Sequence, residues 1–197
     1  MPNLILIAGL PASGKSHFSK FAGEQLGYPV LEKDKYKEIL FDNIGFKNRD
    51  EKLRLGLAAT ELMYQEAEDF LRLGFSVILD NNFENSSVPG VLRLMEKYNT
   101  NTVTVRFEGE TEAIYKRFIQ RDMSPTRHPG HISNTCYPCS DPRLNYFPIS
   151  LESFSQKFHE RGLFDFFPGG ILIPVDVTTF RTYDPQHLLS KLKAVLI

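Results

Sequence analysis

The residues best equipped for chemistry form one run, Gly9-Leu10-Pro11-Ala12-Ser13-Gly14-Lys15-Ser16, which fills the spacing GxxxxGKS. Gly9 and Gly14 permit backbone conformations that a Cβ would hinder, so successive N–H groups can close around an anion. Lys15 places a positive charge where the β- and γ-phosphates of a nucleoside triphosphate would lie, and Ser16 offers a hydroxyl to magnesium. His17 follows at once and joins the expected nucleotide-binding stretch. Such a run becomes a site when a strand precedes it and a helix follows. Residues 3–8 read as a buried strand, and 15–26 as a helix stopped by Gly27. No Asn-Lys-x-Asp run for reading guanine occurs, so ATP with magnesium is the expected ligand pair.

Acids at the ends of later strands decide what a triphosphate site does. Asp34 lies just past a short strand near 28–31, where a parallel sheet places ligands; it could orient and deprotonate an acceptor hydroxyl, or cap the next helix. Asp80 ends the run Val77-Ile78-Leu79 and suits a magnesium ligand, with a strand-end cap as the plainer reading. Asn82 would then face the acceptor. Arg117 and Arg121 share a helix face and could lean over the phosphates, although such a pair also suits a solvated face. Arg127 and His128 extend this basic cluster. His128 and His131 with Cys136 and Cys139 have workable spacing for zinc, but a loop with ordinary thiols is the preferred reading.

The elements that must position these groups alternate between short apolar runs and longer helical patterns, which indicates an α/β fold with a parallel sheet. Helices are predicted over 35–41 and 49–73, the second carrying Ala59, Met63, Ala67 and Phe70 on one face. Strands follow at 76–80, 102–107 and 171–177, with helices at 88–98, 112–122, 151–161 and 187–195. Residues 123–148 hold five of the twelve prolines and read as a long loop, a lid segment. A length of 197 residues, 42% of them hydrophobic, suits a single domain over 1–197. A net charge of -1 supplies no overall field for nucleic acid or an anionic membrane. The apolar stretch 4–8 is too short to span a bilayer, and two cysteines do not make a disulfide framework, so a cytoplasmic location is expected.

Taken together, the phosphate loop, Asp34-Lys35-Tyr36-Lys37, Asp80-Asn81-Asn82-Phe83, Arg117, Arg121 and Arg127-His128-Pro129-Gly130-His131 carry a resemblance. The chain resembles the P-loop small-kinase group of AAA-type ATP-binding proteins that includes predicted bacterial kinases, phage polynucleotide kinase, zeta toxins and chloramphenicol phosphotransferase. The resemblance implies a P-loop NTPase with five parallel strands ordered 2-3-1-4-5, helices on both faces, and a lid whose arginines Arg117 and Arg121 close on ATP. It assigns Asp34 as base or orienter, Lys37 to the acceptor or its phosphate, and His131 to the lid. Lys37 stands where the group has an arginine, and it keeps the charge without the planar two-pronged grip. The segment 135–167 has no firm counterpart and could be an insertion that shapes acceptor choice, with lid and insertion together over about 112–167.

The expected activity is transfer of the γ-phosphoryl group of ATP to a hydroxyl of a small-molecule acceptor, with Lys15, Asp34 and Arg121 as catalytic residues. Two alternatives stay open at this point: a polynucleotide 5′-hydroxyl kinase, disfavoured by the mild acidity, and a nucleotide-regulated ATP-binding module without phosphotransfer.

Overall fold

The structure is a computed structural model that describes residues 1–197, apart from the side chain of Asn145. Its centre is β1 (Asn3–Gly9), whose seven residues are all buried. Leu4, Leu6 and Ala8 enter the core on one face of the sheet, and Ile5 and Ile7 enter the other. A strand covered on both faces reads as a continuous apolar run rather than an alternating one, as this sequence does. Around it stand β2 (Val30–Glu32), β3 (Val77–Asp80), β4 (Asn101–Glu108) and β5 (Ile171–Asp176), in the order β2-β3-β1-β4-β5, with every pairing parallel. This is the order the resemblance implied.

On one face α3 (Arg49–Arg72) and α4 (Val88–Tyr98) pack through Met63, Tyr64, Ala67, Val91 and Leu94. On the other, α1 (Lys15–Leu26) and α8 (Pro185–Lys193) contribute Phe18, Ala22, Leu188 and Leu192. A smaller core joins Leu10 and Ile114 of α5 (Thr111–Asp122) to Phe154 and Phe158 of α7 (Leu151–Glu160). That core anchors α5 and α7 beside the phosphate loop.

Two of the segments that differ from the sequence expectation bear on the site. The helix after β2, α2 (Lys33–Ile44), begins two residues earlier than predicted, with Glu32 as its N-cap. Asp34 therefore sits inside the first helical turn instead of capping it, where the helix dipole favours its anionic form. The predicted loop 123–148 holds a short helix, α6 (Pro129–Ile132), capped by His128, and a 3-10 turn (Pro142–Asn145). It is tied to the link after α2 by paired backbone hydrogen bonds between Phe46 and Tyr137. Proline at the first helical position suits a helix start, a signal outweighed in the sequence by the missing periodicity.

Candidate active site

All five parallel strands end on one side of the sheet, so the loops that leave them converge there. The β1–α1 connection is held close to β4: a Cβ added to Gly9 would lie 2.2 Å from the Phe107 carbonyl oxygen. Ala12 and Gly14 both take positive φ, 65° and 94°, which bends the run so that it opens at the N-terminus of α1. Ala12, Ser13, Gly14, Lys15, Ser16 and His17 line a cleft of about 390 Å³. Asp34 from α2, Asp80 at the end of β3, Asn82 in the loop after it, and Arg117 and Arg121 from α5 reach the same cleft. Gly9 and Leu10 do not line it. The Leu10 carbonyl accepts a hydrogen bond of 2.7 Å from Lys15 Nζ.

Electrostatics in this cleft are set by burial. Lys15 is only 6% exposed, and burial pushes its ammonium down to about 8; Asp80 and Asp34 act to keep the proton, and Arg121 acts against it. Asp80 is 5% exposed, and burial pushes its carboxyl up, opposed by Lys15 and by hydrogen bonds from Ser16 and Ser19. Ser19 Oγ donates to Asp80 Oδ2 at 2.9 Å. A buried carboxylate beside the Ser16 hydroxyl is a hard oxygen set of the kind magnesium takes. Across the cleft, Ser13 Oγ, Arg117 Nε and Nη2, and Arg121 Nε are buried without a hydrogen-bond partner among the described residues. Buried unpaired donors cost free energy, and an anion between them would supply what they lack.

Asp34 stands at a junction. With Lys33, Asn81, Asn82 and Arg121 it lines both the phosphate-loop cleft and a second, larger cavity of about 1090 Å³. Burial favours its neutral acid, but His131, Arg127, Lys37 and Arg121 outweigh this and hold the carboxyl well below the usual range. His131 contributes while protonated, and burial pushes its own pKa down, so Arg127 at 3.6 Å and Lys37 carry the effect at neutral pH. His131 Nε2 lies 2.8 Å from Glu38 Oε1. Lys37, Asn82, Arg127 and His131 line the larger cavity as well.

His128 is not brought into either cleft. Its Nδ1 accepts from the Gly130 N–H at 3.0 Å as the α6 cap, and its Nε2 meets Asp42 Oδ1 at 3.0 Å, so both ring nitrogens are engaged. The zinc arrangement does not form either: no group of three His, Cys, Asp or Glu suited to a metal occurs among the described residues, and Cys136 and Cys139 are free thiols. Phe180 was not anticipated. It lies after β5, lines the phosphate-loop cleft, and stacks under the Arg117 guanidinium at 4.2 Å. A lone aromatic in the polar run 178–182 was the signal available.

A parallel sheet ordered β2-β3-β1-β4-β5, with a glycine-bounded phosphate loop after β1 and acids after β2 and at the end of β3, defines a P-loop protein of the small-kinase group. The chain belongs to the AAA domain family, whose pattern it matches over residues 4–131. No curated protein matches it. Among solved structures it is similar to a "putative kinase" from Chloroflexus aurantiacus at 28% identity and a TM-score of 0.81, covering 100% of this chain and 99% of that one. The APS kinase of Mycobacterium tuberculosis, solved with AMPPNP and APS, shares 12% identity at a TM-score of 0.60, with 98% and 96% covered. Shikimate kinase from Bacteroides thetaiotaomicron shares 15% at 0.54, with 98% and 97% covered. These last two share the fold. No helix among the described residues is long and apolar enough to cross a membrane.

Proposed function

We propose that the protein is an ATP-dependent phosphotransferase that moves the γ-phosphoryl group to a hydroxyl of a small acceptor. The observation that carries this reading is the position of Asp34, on the wall shared by the phosphate-loop cleft and the larger cavity. ATP occupies the first, with its phosphates among the loop N–H groups, Lys15, Arg117 and Arg121. The acceptor occupies the second. Magnesium, held by Ser16 and through Asp80, would neutralise charge on the β- and γ-phosphates.

Asp34 is a weak base because its cationic neighbours stabilise the carboxylate. Its work is therefore to accept the hydrogen bond of the acceptor hydroxyl and hold that oxygen in line. A loose phosphoryl-transfer transition state leaves little proton chemistry to do before the bond to the ADP oxygen has broken, so a weak base suffices. The oxygen–phosphorus bond forms on the acceptor, ADP departs, and the hydroxyl proton passes to Asp34 and then to solvent. Lys15 and Arg121 balance the charge on the transferring group. The segment from α5 to α7, about 112–167, acts as the lid over both cavities within one domain. Asp34→Asn is the test: it is expected to keep AMPPNP affinity within about threefold and to lower the transfer rate about 10²- to 10⁴-fold. Turnover at the wild-type rate would remove Asp34 from the reaction.

A further inference from the structure

The larger cavity carries more positive charge than its own acids neutralise. Lys33 and Lys37 on α2, Arg49 and Lys52 on α3, and Lys157 on α7 with Arg161 at its C-cap all line it. Within each pair the spacing is three or four residues, so three helices each turn one cationic face inward. The acids of the cavity are already held. Asp34 and Asp122 lie 3.6 and 3.8 Å from Arg127, Glu61 lies 3.8 Å from Arg93, Asp141 lies 2.9 Å from Arg143, and Glu84 is bonded by Arg161. Among the described residues no carboxylate comes within 4.0 Å of Lys33, Lys37, Arg49, Lys52 or Lys157.

The donors of these cations are unequally engaged. Lys52 Nζ donates to the carbonyls of His131, at 3.0 Å, and Ser133, so it fixes the turn after α6 while its charge stays unbalanced. Arg49 gives one Nη1 hydrogen bond of 2.7 Å to Asn134 Oδ1 and keeps its other donors. Among the described residues the ammonium groups of Lys37 and Lys157 reach no hydrogen-bond acceptor. Burial pushes Lys52 down to about 7 and Lys37 to about 8; the neighbouring cations push both the same way, and Asp34 opposes this at Lys37. A bound anion relieves this crowding.

The size of the excess selects the anion. One carboxylate would leave most of it unbalanced, whereas a phosphate monoester brings up to about two negative charges and three acceptor oxygens. The whole chain has a net charge of -1, so the excess is local to the cavity, which favours a small anion over a polynucleotide drawn by an overall basic field. We infer that Arg49 and Lys157, backed by Lys52, join Lys37, which the resemblance already assigns to the acceptor or its phosphate, in a phosphate-binding subsite, and that the small hydroxyl acceptor carries a phosphate monoester at its far end. This deepens the phosphotransferase reading and rests on it.

Calorimetry with inorganic phosphate tests the inference on protein saturated with Mg·AMPPNP, so that the phosphate loop is already filled. Acetate at matched ionic strength controls for simple charge. Phosphate is expected to bind, acetate to bind about tenfold more weakly or not at all, and the pair Arg49→Gln with Lys157→Gln to weaken phosphate about tenfold or more. Both side chains are exposed, and Arg49→Lys with Lys157→Arg is expected to restore most of the affinity. Absent phosphate binding, equal binding of acetate, or an unchanged affinity in the Gln pair would overturn the subsite. Tighter binding of a 5′-hydroxyl oligonucleotide than of phosphate, falling steeply with salt, would overturn the small acceptor. Failure of AMPPNP to bind at the outset would instead strike the phosphotransferase reading, since that step does not involve the subsite.

Discussion

Raising the pH should weaken nucleotide binding through one residue. An ordinary lysine holds its proton to 10.5, and burial lowers Lys15 to about 8 in the ligand-free protein. That difference is worth about 3 kcal/mol against the charged form. A polyphosphate beside Nζ restores the proton, so above pH 8 each binding event must take one up from solvent. The apparent dissociation constant then scales as one plus the ratio of neutral to charged Lys15. Between pH 7 and pH 10 it is expected to rise about 90-fold, close to 2.7 kcal/mol, with a slope approaching tenfold per pH unit. Calorimetric titration of AMPPNP without metal, in buffers of different ionisation enthalpy, measures both affinity and proton uptake; near pH 9 the uptake should be about 0.9 proton. Lys15→Arg keeps its charge throughout this range and should flatten the profile. A flat wild-type profile, or an equal slope in Lys15→Arg, would refute the placement of a buried, partly neutral Lys15 at the phosphates.

Linkage also sets the stability of the ligand-free chain: Lys15 and Lys52 release their protons near 8 and 7 when folded, against 10.5 unfolded, so the unfolded chain binds more protons in between. The unfolding free energy should therefore rise from about pH 7 to pH 9.5 in denaturant titrations, and a steady fall across that window would contradict the burial of these lysines. Phe180→Ala removes the face under Arg117, a contact worth about 1 kcal/mol, and should weaken AMPPNP about fivefold by the same calorimetry. Phe180 is 46% exposed, so a lowered melting temperature in place of weakened binding would count against its role in the cleft. Gly90→Ala would set a Cβ 2.3 Å from Tyr64 Cε2, where α4 crosses α3. The expected loss is about 1–3 kcal/mol of stability, visible as a fall of several degrees in melting temperature, and an unchanged value would refute the close packing there.

The phosphate loop was legible in the sequence because its physics is local: glycines, a lysine and a serine at fixed offsets act through backbone within a few residues. Asp80 was legible because a wholly apolar strand that ends in an acid leaves few reasons for the acid. The strand order came through the resemblance, and pattern alone did not choose it. Asp34 was read from its place past a strand end, and the plainer capping alternative falls away because the helix starts at Lys33 with Glu32 as its cap. What the sequence hid is long-range. Arg49 and Lys157 lie 108 residues apart, each on a helix that reads as an ordinary solvated face, and only packing turns both toward one cavity. Phe180 gave no periodic signal because it sits in a loop. His128 looked like part of a basic cluster, yet a proline and a glycine after it made it the cap of a four-residue helix.

Transfer itself is the most direct measurement. With ATP labelled on the γ-phosphate, magnesium, and a panel of hydroxyl compounds with and without a phosphate monoester, product is followed as label on the acceptor and as ADP. The expected result is acceptor-dependent ADP formation with one labelled product molecule per ADP, abolished in Lys15→Ala and strongly reduced in Asp34→Asn. Slow ADP formation that ignores every acceptor and releases all label as inorganic phosphate would contradict a phosphotransferase and favour a nucleotide-regulated module.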